Sequence, residues 1–284
     1  MNPRVRHRSE YFDGARGVRI HWQSWGLDGD AVQARAAVVI AHGAGEHGGR
    51  YQRLAEILVK HGLVVYAIDH RGHGRSGGSR ARIDRFSEAS SDLDRLVDHA
   101  REERRASRTF LLGHSLGGAV ALDYALRNQA KLHGLILSGP AVAIDGASPG
   151  MLAVSRALSR IAPWLGLVTI DPQAISNDLG EVAAYAADPL NHHGKVPAGT
   201  LGEVVRFAQR LPSRLPALTL PLLILHGEDD RLAGVSGSKM IMENVGSRDK
   251  LLRVYPGLRH EIFNEIPDAR AEVFADLQSW LSDH

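Results

Sequence analysis

The stretch Phe110-Leu111-Leu112-Gly113-His114-Ser115-Leu116-Gly117-Gly118-Ala119 decides how this chain is read. Three apolar residues lead into Gly-His-Ser-Leu-Gly, and the small residues that follow open a segment with helical character down to Asn128. A G-x-S-x-G pattern between a strand and a helix is a nucleophile elbow. The reason is steric: a serine at the apex of so sharp a turn is held in a strained backbone, and only small neighbours let strand and helix close around it. Its hydroxyl then stands at a helix N-terminus, where free N–H groups face an anion.

Outward from the elbow, buried-strand and helix patterns alternate. Ala36–Ala41, Leu63–Ile68, Leu132–Leu137, Leu222–Leu225 and Leu251–Tyr255 are short apolar runs, as strands of a parallel sheet covered on both faces should be. Helical spacing appears at Tyr51-Leu54-Ile57-Leu58, closed by Gly62, and at Leu93-Leu96-Val97-Ala100, with Ser90 or Ser91 as the expected cap. Further helices are expected around Lys239–Asn244 and up to Trp280. Residues 10–25 read as an antiparallel hairpin at a half-exposed edge, and Gly26–Arg35 as a loop. The rhythm breaks over 140–217, a proline-rich stretch with helical pieces and no clear buried strand. The expected fold is therefore α/β, a mostly parallel sheet flanked by helices. Its core would be residues 1–139 and 218–284, with 140–217 a mainly helical cap inserted at a crossover.

Composition narrows the chemistry. A chain of 284 residues suits one large α/β domain, with or without an insertion, or two small domains. Lys+Arg 34 against Asp+Glu 32 leaves a net charge of +2, which provides no electrostatic case for nucleic acid. With no cysteine, disulfides, thiolate metal sites and thiol nucleophiles are excluded. No apolar run approaches the ~20 residues of a membrane span, and Met1–Glu10 has no apolar signal core. A cytoplasmic protein that touches a membrane only peripherally is expected.

A serine hydroxyl needs a base, and the base needs an orienting acid. On an elbow of this kind the partners follow in the order serine, acid, histidine. After the loop Gly227-Glu228-Asp229-Asp230-Arg231 only His260 and the terminal His284 remain, and His284 is expected to fray. His260, in a loop directly after the last expected strand, is the candidate base. Asp229 and Asp230 are both placed to be the acid, with Asp145 third. The oxyanion would be met by the N–H of Leu116 and by that of Ala44, in the glycine-bearing loop after the first buried strand. His42, Glu46 and His47 in that loop lack H-E-x-x-H spacing, so no metal is expected. The loop His70–Gly78 lacks a Walker pattern and is read as a buttress of the site mouth.

The elbow, the loop His42–Tyr51 (HGAGEHGGRY), the segment Asp69-His70-Arg71-Gly72-His73-Gly74-Arg75-Ser76 and the tail Tyr255–Glu261 together resemble a monoacylglycerol lipase of the bacterial type, a family with the α/β-hydrolase fold. The resemblance covers nearly the whole chain. It implies a serine esterase without cofactor that acts on a lipid ester through an acyl-enzyme, with Ser115, Asp230 and His260 as its triad. The family's Gly-x-x-Asp motif falls on Gly227 and Asp230 and so selects Asp230. The resemblance further implies that Glu46, Arg50 and Tyr185 lie near the glycerol pocket. One departure stands out: where animal members have a glycerol-contacting histidine, this chain has Phe263. Met151, Leu152, Ser155, Leu158 and Ile161-Ala162, followed by Trp164, read as an apolar side of the cap suited to a lipid chain or a membrane surface. A lysophospholipase or a broad carboxylesterase would use the same residues. A non-catalytic binding protein of this fold would lack part of the set.

Overall fold

The computed structural model describes residues 4–27, 34–104, 108–143 and 148–284. Asp145 and most of the loop expected at 26–35 lie outside the described residues. The chain opens with β1 (Val5–Asp13) and β2 (Arg19–Leu27), then β3 (Ala36–Ala41), α1 (Gln52–Lys60), β4 (Leu63–Ile68) and α2 (Phe86–Arg104). Next come β5 (Thr109–His114), α3 (Leu116–Asn128) and β6 (Gly134–Ser138). After an insertion, β9 (Leu222–Gly227), α7 (Val235–Asn244), β10 (Lys250–Tyr255) and α8 (Pro267–Asp283) complete the fold. The insertion carries α4 (Pro149–Ile161), β7 (Gly166–Val168), α5 (Leu179–Ala187), β8 (Val196–Pro197) and α6 (Ala198–Arg214).

The strands form one eight-stranded sheet in the order β1-β2-β4-β3-β5-β6-β9-β10. The β1–β2 and β2–β4 pairs are antiparallel, and every other pair is parallel. β3 shows why the central runs are apolar throughout. Ala37, Val39 and Ala41 face a core shared with α2, α3 and α6, whereas Val38 and Ile40 face one shared with α1 and α8. Side chains of alternate direction thus meet two different hydrophobic layers, and no position is left for a polar residue.

Four expectations shift. The half-exposed edge is β1 alone, because β2 pairs on both sides and is buried along nearly its whole length. α2 begins at Phe86, so neither Ser90 nor Ser91 caps it. The Phe86 N–H is met by Glu203 of α6 at 2.8 Å, and Ser90 Oγ instead donates to Asp123 of α3 at 2.9 Å. The strand expected at 132–137 starts at Gly134. His284 is not frayed: its ring stacks on Trp280 with centroids 4.2 Å apart and bonds Asp249 at 2.8 Å.

Between β6 and β9 the insertion contains a two-stranded antiparallel ribbon, β7–β8, as well as helices. Phe207 and Leu211 of α6 and Leu215 just after it join the main core, so the last turns of α6 lead into the crossover to β9. In α4 the exposure runs opposite to part of the expected pattern. Leu152, Ser155 and Leu158 face inward, while Met151 and Ile161 face solvent at 64% and 75% exposure. Val154, Trp164, Leu165 and Val168 extend this exposed apolar surface. Among the described residues no helix is long and apolar enough to cross a membrane.

Candidate active site

The parallel strands end along one edge of the sheet, and the chemically interesting residues sit just past those ends, as is general for open α/β sheets. Ser115 lies between β5 and α3 with φ 53° and ψ −119°, a region that non-glycine residues seldom occupy. Its neighbours explain how the turn closes. A Cβ on Gly117 would stand 2.1 Å from the Ala41 carbonyl oxygen, and one on Gly113 would stand 2.6 Å from Ala121 Cβ. The Ser115 N–H donates to the Ser138 carbonyl at 3.0 Å, while its own carbonyl accepts from Gly118 N–H at 2.9 Å. Helix α3 therefore starts immediately behind the hydroxyl.

His260 follows β10 and Asp230 follows β9. His260 Nδ1 donates to Asp230 Oδ2 at 2.6 Å. Asp230 Oδ1 accepts from the N–H groups of Leu232 and Ala233 at 2.8 and 2.9 Å, so the carboxylate is saturated with donors. Burial favours its neutral form, but the attraction of His260 and these hydrogen bonds prevail and hold it well below the usual carboxylate range. For His260 burial likewise favours the neutral ring. The charge of Asp230 and the bond to it, aided by Glu261 and Glu46, outweigh burial and raise its pKa above that of an ordinary imidazole. Asp229, the alternative acid, is exposed and uses its N–H on the Leu258 carbonyl at 2.9 Å.

Ser115, His260, Ala44 and Leu116 line one cavity of about 220 Å³. Among the described residues no hydrogen bond joins Ser115 Oγ to His260; such bonds are often long in unliganded enzymes and tighten with substrate. The cavity walls are largely apolar, with Val168, Ile170, Ile175, Leu201 and Val204 contributed by the insertion. Glu46, Tyr185 and Glu261 supply a polar end.

The three residues expected near a glycerol pocket part company here. Glu46 and Tyr185 line the cavity, whereas Arg50 lies behind it, 4.9 Å from the Tyr185 ring centroid. Arg50 donates to Glu46 at 2.8 Å and to both oxygens of Glu261 at 2.6 and 2.7 Å. Burial works against its charge, but the two carboxylates more than compensate and keep it protonated. Glu261 is itself drawn down to about 2, against the effect of burial, chiefly by Arg50. Phe263 does not reach the cavity; it stacks on Phe274 at 6.0 Å in the core.

Sequence reasoning missed three residues of this site. Glu261 was visible only as the neighbour of His260. His226, at the end of β9, donates from Nε2 to Ala233 O at 2.7 Å and to Asp230 Oδ2 at 3.1 Å, giving the carboxylate a second imidazole. His42 donates from Nδ1 to the Gly43 carbonyl at 2.7 Å and accepts from His70 N–H at Nε2, 2.9 Å away. All three act through tertiary neighbours, which no local pattern announces.

The fold and its strained serine turn define an α/β-hydrolase, and comparison with known proteins narrows this further. The model of the family described as serine aminopeptidase, S33, matches residues 32–267. Monoacylglycerol lipase of Mycolicibacterium smegmatis is 45% identical over 279 residues, spanning 98% of both chains. The crystal structure of Paleococcus ferrophilus monoacylglycerol lipase superposes with a TM-score of 0.83 at 32% identity, covering 93% of this chain and 99% of that one. A soluble variant of Saccharomyces cerevisiae monoglyceride lipase, in complex with a substrate analogue, gives a TM-score of 0.86 at 25% identity, covering 100% and 96% of the two chains. The chain belongs to the serine aminopeptidase (S33) family and, within it, to the monoacylglycerol lipases.

Proposed function

We propose that this chain cleaves monoacylglycerols to glycerol and free fatty acid. Ser115 attacks the ester carbonyl while His260 Nε2 takes its proton. Asp230 holds the imidazole in the Nδ1–H tautomer and stabilises the imidazolium that forms. The Ala44 and Leu116 N–H groups receive the oxyanion. His260 then protonates the departing glycerol oxygen, and a water molecule activated by the same ring releases the acyl group from Ser115. Residues 140–217 act as the cap, lining the channel for the acyl chain, and Glu46, Tyr185 and Glu261 face the glycerol end.

The observation that carries this reading is the 2.6 Å Asp230–His260 pair, set beside a strained serine in a cavity with one polar end and long apolar walls. Glycerol and fatty-acid release from a monoacylglycerol tests it, with Ser115→Ala as control. Full activity in that variant overturns the assignment. Preference for lysophosphatidylcholine would make the enzyme a lysophospholipase, and absence of a fluorophosphonate adduct on Ser115 would make the chain a binding protein.

The exposed Met151, Ile161 and Trp164 support a second part of the proposal, contact of the cap with a lipid surface. Co-sedimentation with phosphatidylcholine vesicles should weaken in an Ile161→Ser/Trp164→Ser variant. Unchanged sedimentation counts against surface contact.

A further inference from the structure

A second Ser-His-Asp relay exists in this molecule, remote in the sheet from the elbow. Ser9 Oγ lies 2.7 Å from His21 Nε2, and His21 Nδ1 lies 2.8 Å from Asp69 Oδ2. The proton positions follow from the partners. Asp69 accepts from Gly48 N–H at 2.8 Å on Oδ1 and from Arg75 N–H at 2.9 Å on Oδ2, so it is a carboxylate and Nδ1 carries the hydrogen. With Nδ1 donating to Asp69, the neutral ring presents Nε2 as an acceptor for the Ser9 hydroxyl.

The relay is firmly held. His21 and Asp69 side chains are each 1% exposed. The His21 backbone is tied down as well, with its carbonyl accepting from Asp69 N–H at 2.8 Å and its N–H donating to Ser76 Oγ at 2.8 Å. The Tyr11 ring meets the imidazole edge-on at 5.0 Å. Ser9, by contrast, is exposed on the edge strand β1. A buried base and its orienting acid therefore serve a hydroxyl that faces solvent.

We propose that Ser9 is a second activated hydroxyl, a surface site that takes acyl or phosphonyl groups from activated donors through His21 and Asp69. Ser9 Oγ attacks the phosphorus of an alkyl fluorophosphonate, or the carbonyl carbon of an activated ester. The hydroxyl proton passes to His21 Nε2, and Asp69 stabilises the imidazolium. Fluoride, or the phenolate of the ester, leaves with its bonding electrons, and the imidazolium returns its proton to solvent. The chemistry stops at the adduct. Ser9 sits in mid-strand, whereas Ser115 stands at the start of α3 between glycines, so Ser9 lacks the helix-terminal amides that stabilise an oxyanion and drive turnover.

This inference does not depend on the function proposed for Ser115, and removing Ser115 isolates it. The full chain carrying Ser115→Ala is treated with an alkyl fluorophosphonate, and adducts are located by peptide mass spectrometry over time. Ser87 and Ser213, also exposed, serve as internal controls because neither is bonded to a histidine. General-base assistance is worth about 10²–10⁴-fold, so Ser9 is expected to react at least about tenfold faster than either control. A smaller excess overturns the proposal. In Ser115→Ala/His21→Asn the new amide retains a donor to Asp69 but offers no base, and the excess should vanish. Its persistence would also overturn the relay. Should that double variant fail to fold, the three-serine comparison in Ser115→Ala still decides.

Discussion

Arg50 and Glu261 form a two-point ion pair at 2.6 and 2.7 Å, and Arg50 also holds Glu46 at 2.8 Å. Glu46 in turn accepts from Gly43 N–H at 2.6 Å. One buried cation thus connects the loop carrying Ala44 to the loop carrying His260. Arg50→Ala would strand two carboxylates beside each other, a situation that costs about 3–5 kcal/mol. Urea unfolding should register that loss, and adding Glu46→Gln and Glu261→Gln should recover most of it. A mild effect of Arg50→Ala alone would show that the pair is dispensable.

Glu261 also helps to raise the pKa of His260. As the proposed base, His260 works only when neutral, so kcat/KM should fall on the acid side, with a midpoint above that of an ordinary imidazole. Glu261→Gln keeps an oxygen for Arg50 and removes the charge, so the acid limb should move to lower pH. An unchanged or upward-shifted midpoint contradicts this electrostatic role.

The two neighbouring aspartates should separate sharply on mutation. Asp230 is bonded by two imidazoles and two backbone amides, whereas Asp229 points to solvent. Asp230→Ala is expected to lose about 10⁴-fold in kcat. Asp229→Ala should stay close to the parent, and equal losses would refute the assignment of the acid.

Stability should erode early on acidification. His42, His70, His73 and His114 are all buried, and burial lowers each of them, His70 to about 3 and His73 and His114 to about 4. Their ordinary value is 6.5, so below it the unfolded chain binds protons that the folded chain refuses. Their contribution is complete above 6.5 and drains away as pH falls towards 3. Glu261 adds to the loss between 4.5 and about 2, whereas His260, raised rather than lowered, adds stability only as pH falls to 6.5 and leaves the slope below that unchanged. Urea midpoints from pH 7 to 4 should decline well before carboxylates titrate; a flat profile down to about 5 would contradict the histidine contribution.

The parallel sheet was legible because its strands are buried on both faces, which leaves Ala36–Ala41 and Leu63–Ile68 continuously apolar. β2 was misread because alternation over Val18–Trp22 says nothing about which neighbours will cover the polar side. His21, on that strand, is buried by bonding Asp69 and Ser9, not by being apolar. The elbow turn and the placing of His260 in the loop after the last strand were legible from motif and chain order, since those are local or ordinal properties. Choosing Asp230 needed either a family resemblance or the sight of its four donors. Arg50 was legible as a site residue but not as a strut, because its partner Glu261 lies 211 residues away.

The bond from His42 to the Gly43 carbonyl has a consequence for timing. A trans peptide is a rigid plane whose C=O and N–H point in opposite directions. Holding the Gly43 oxygen towards the buried imidazole therefore aims the Ala44 N–H away from it, before any ester has bound. With Ala44 in its proposed role as oxyanion donor, no peptide has to flip while the tetrahedral intermediate forms, and the orientation of that N–H is a property of the resting protein.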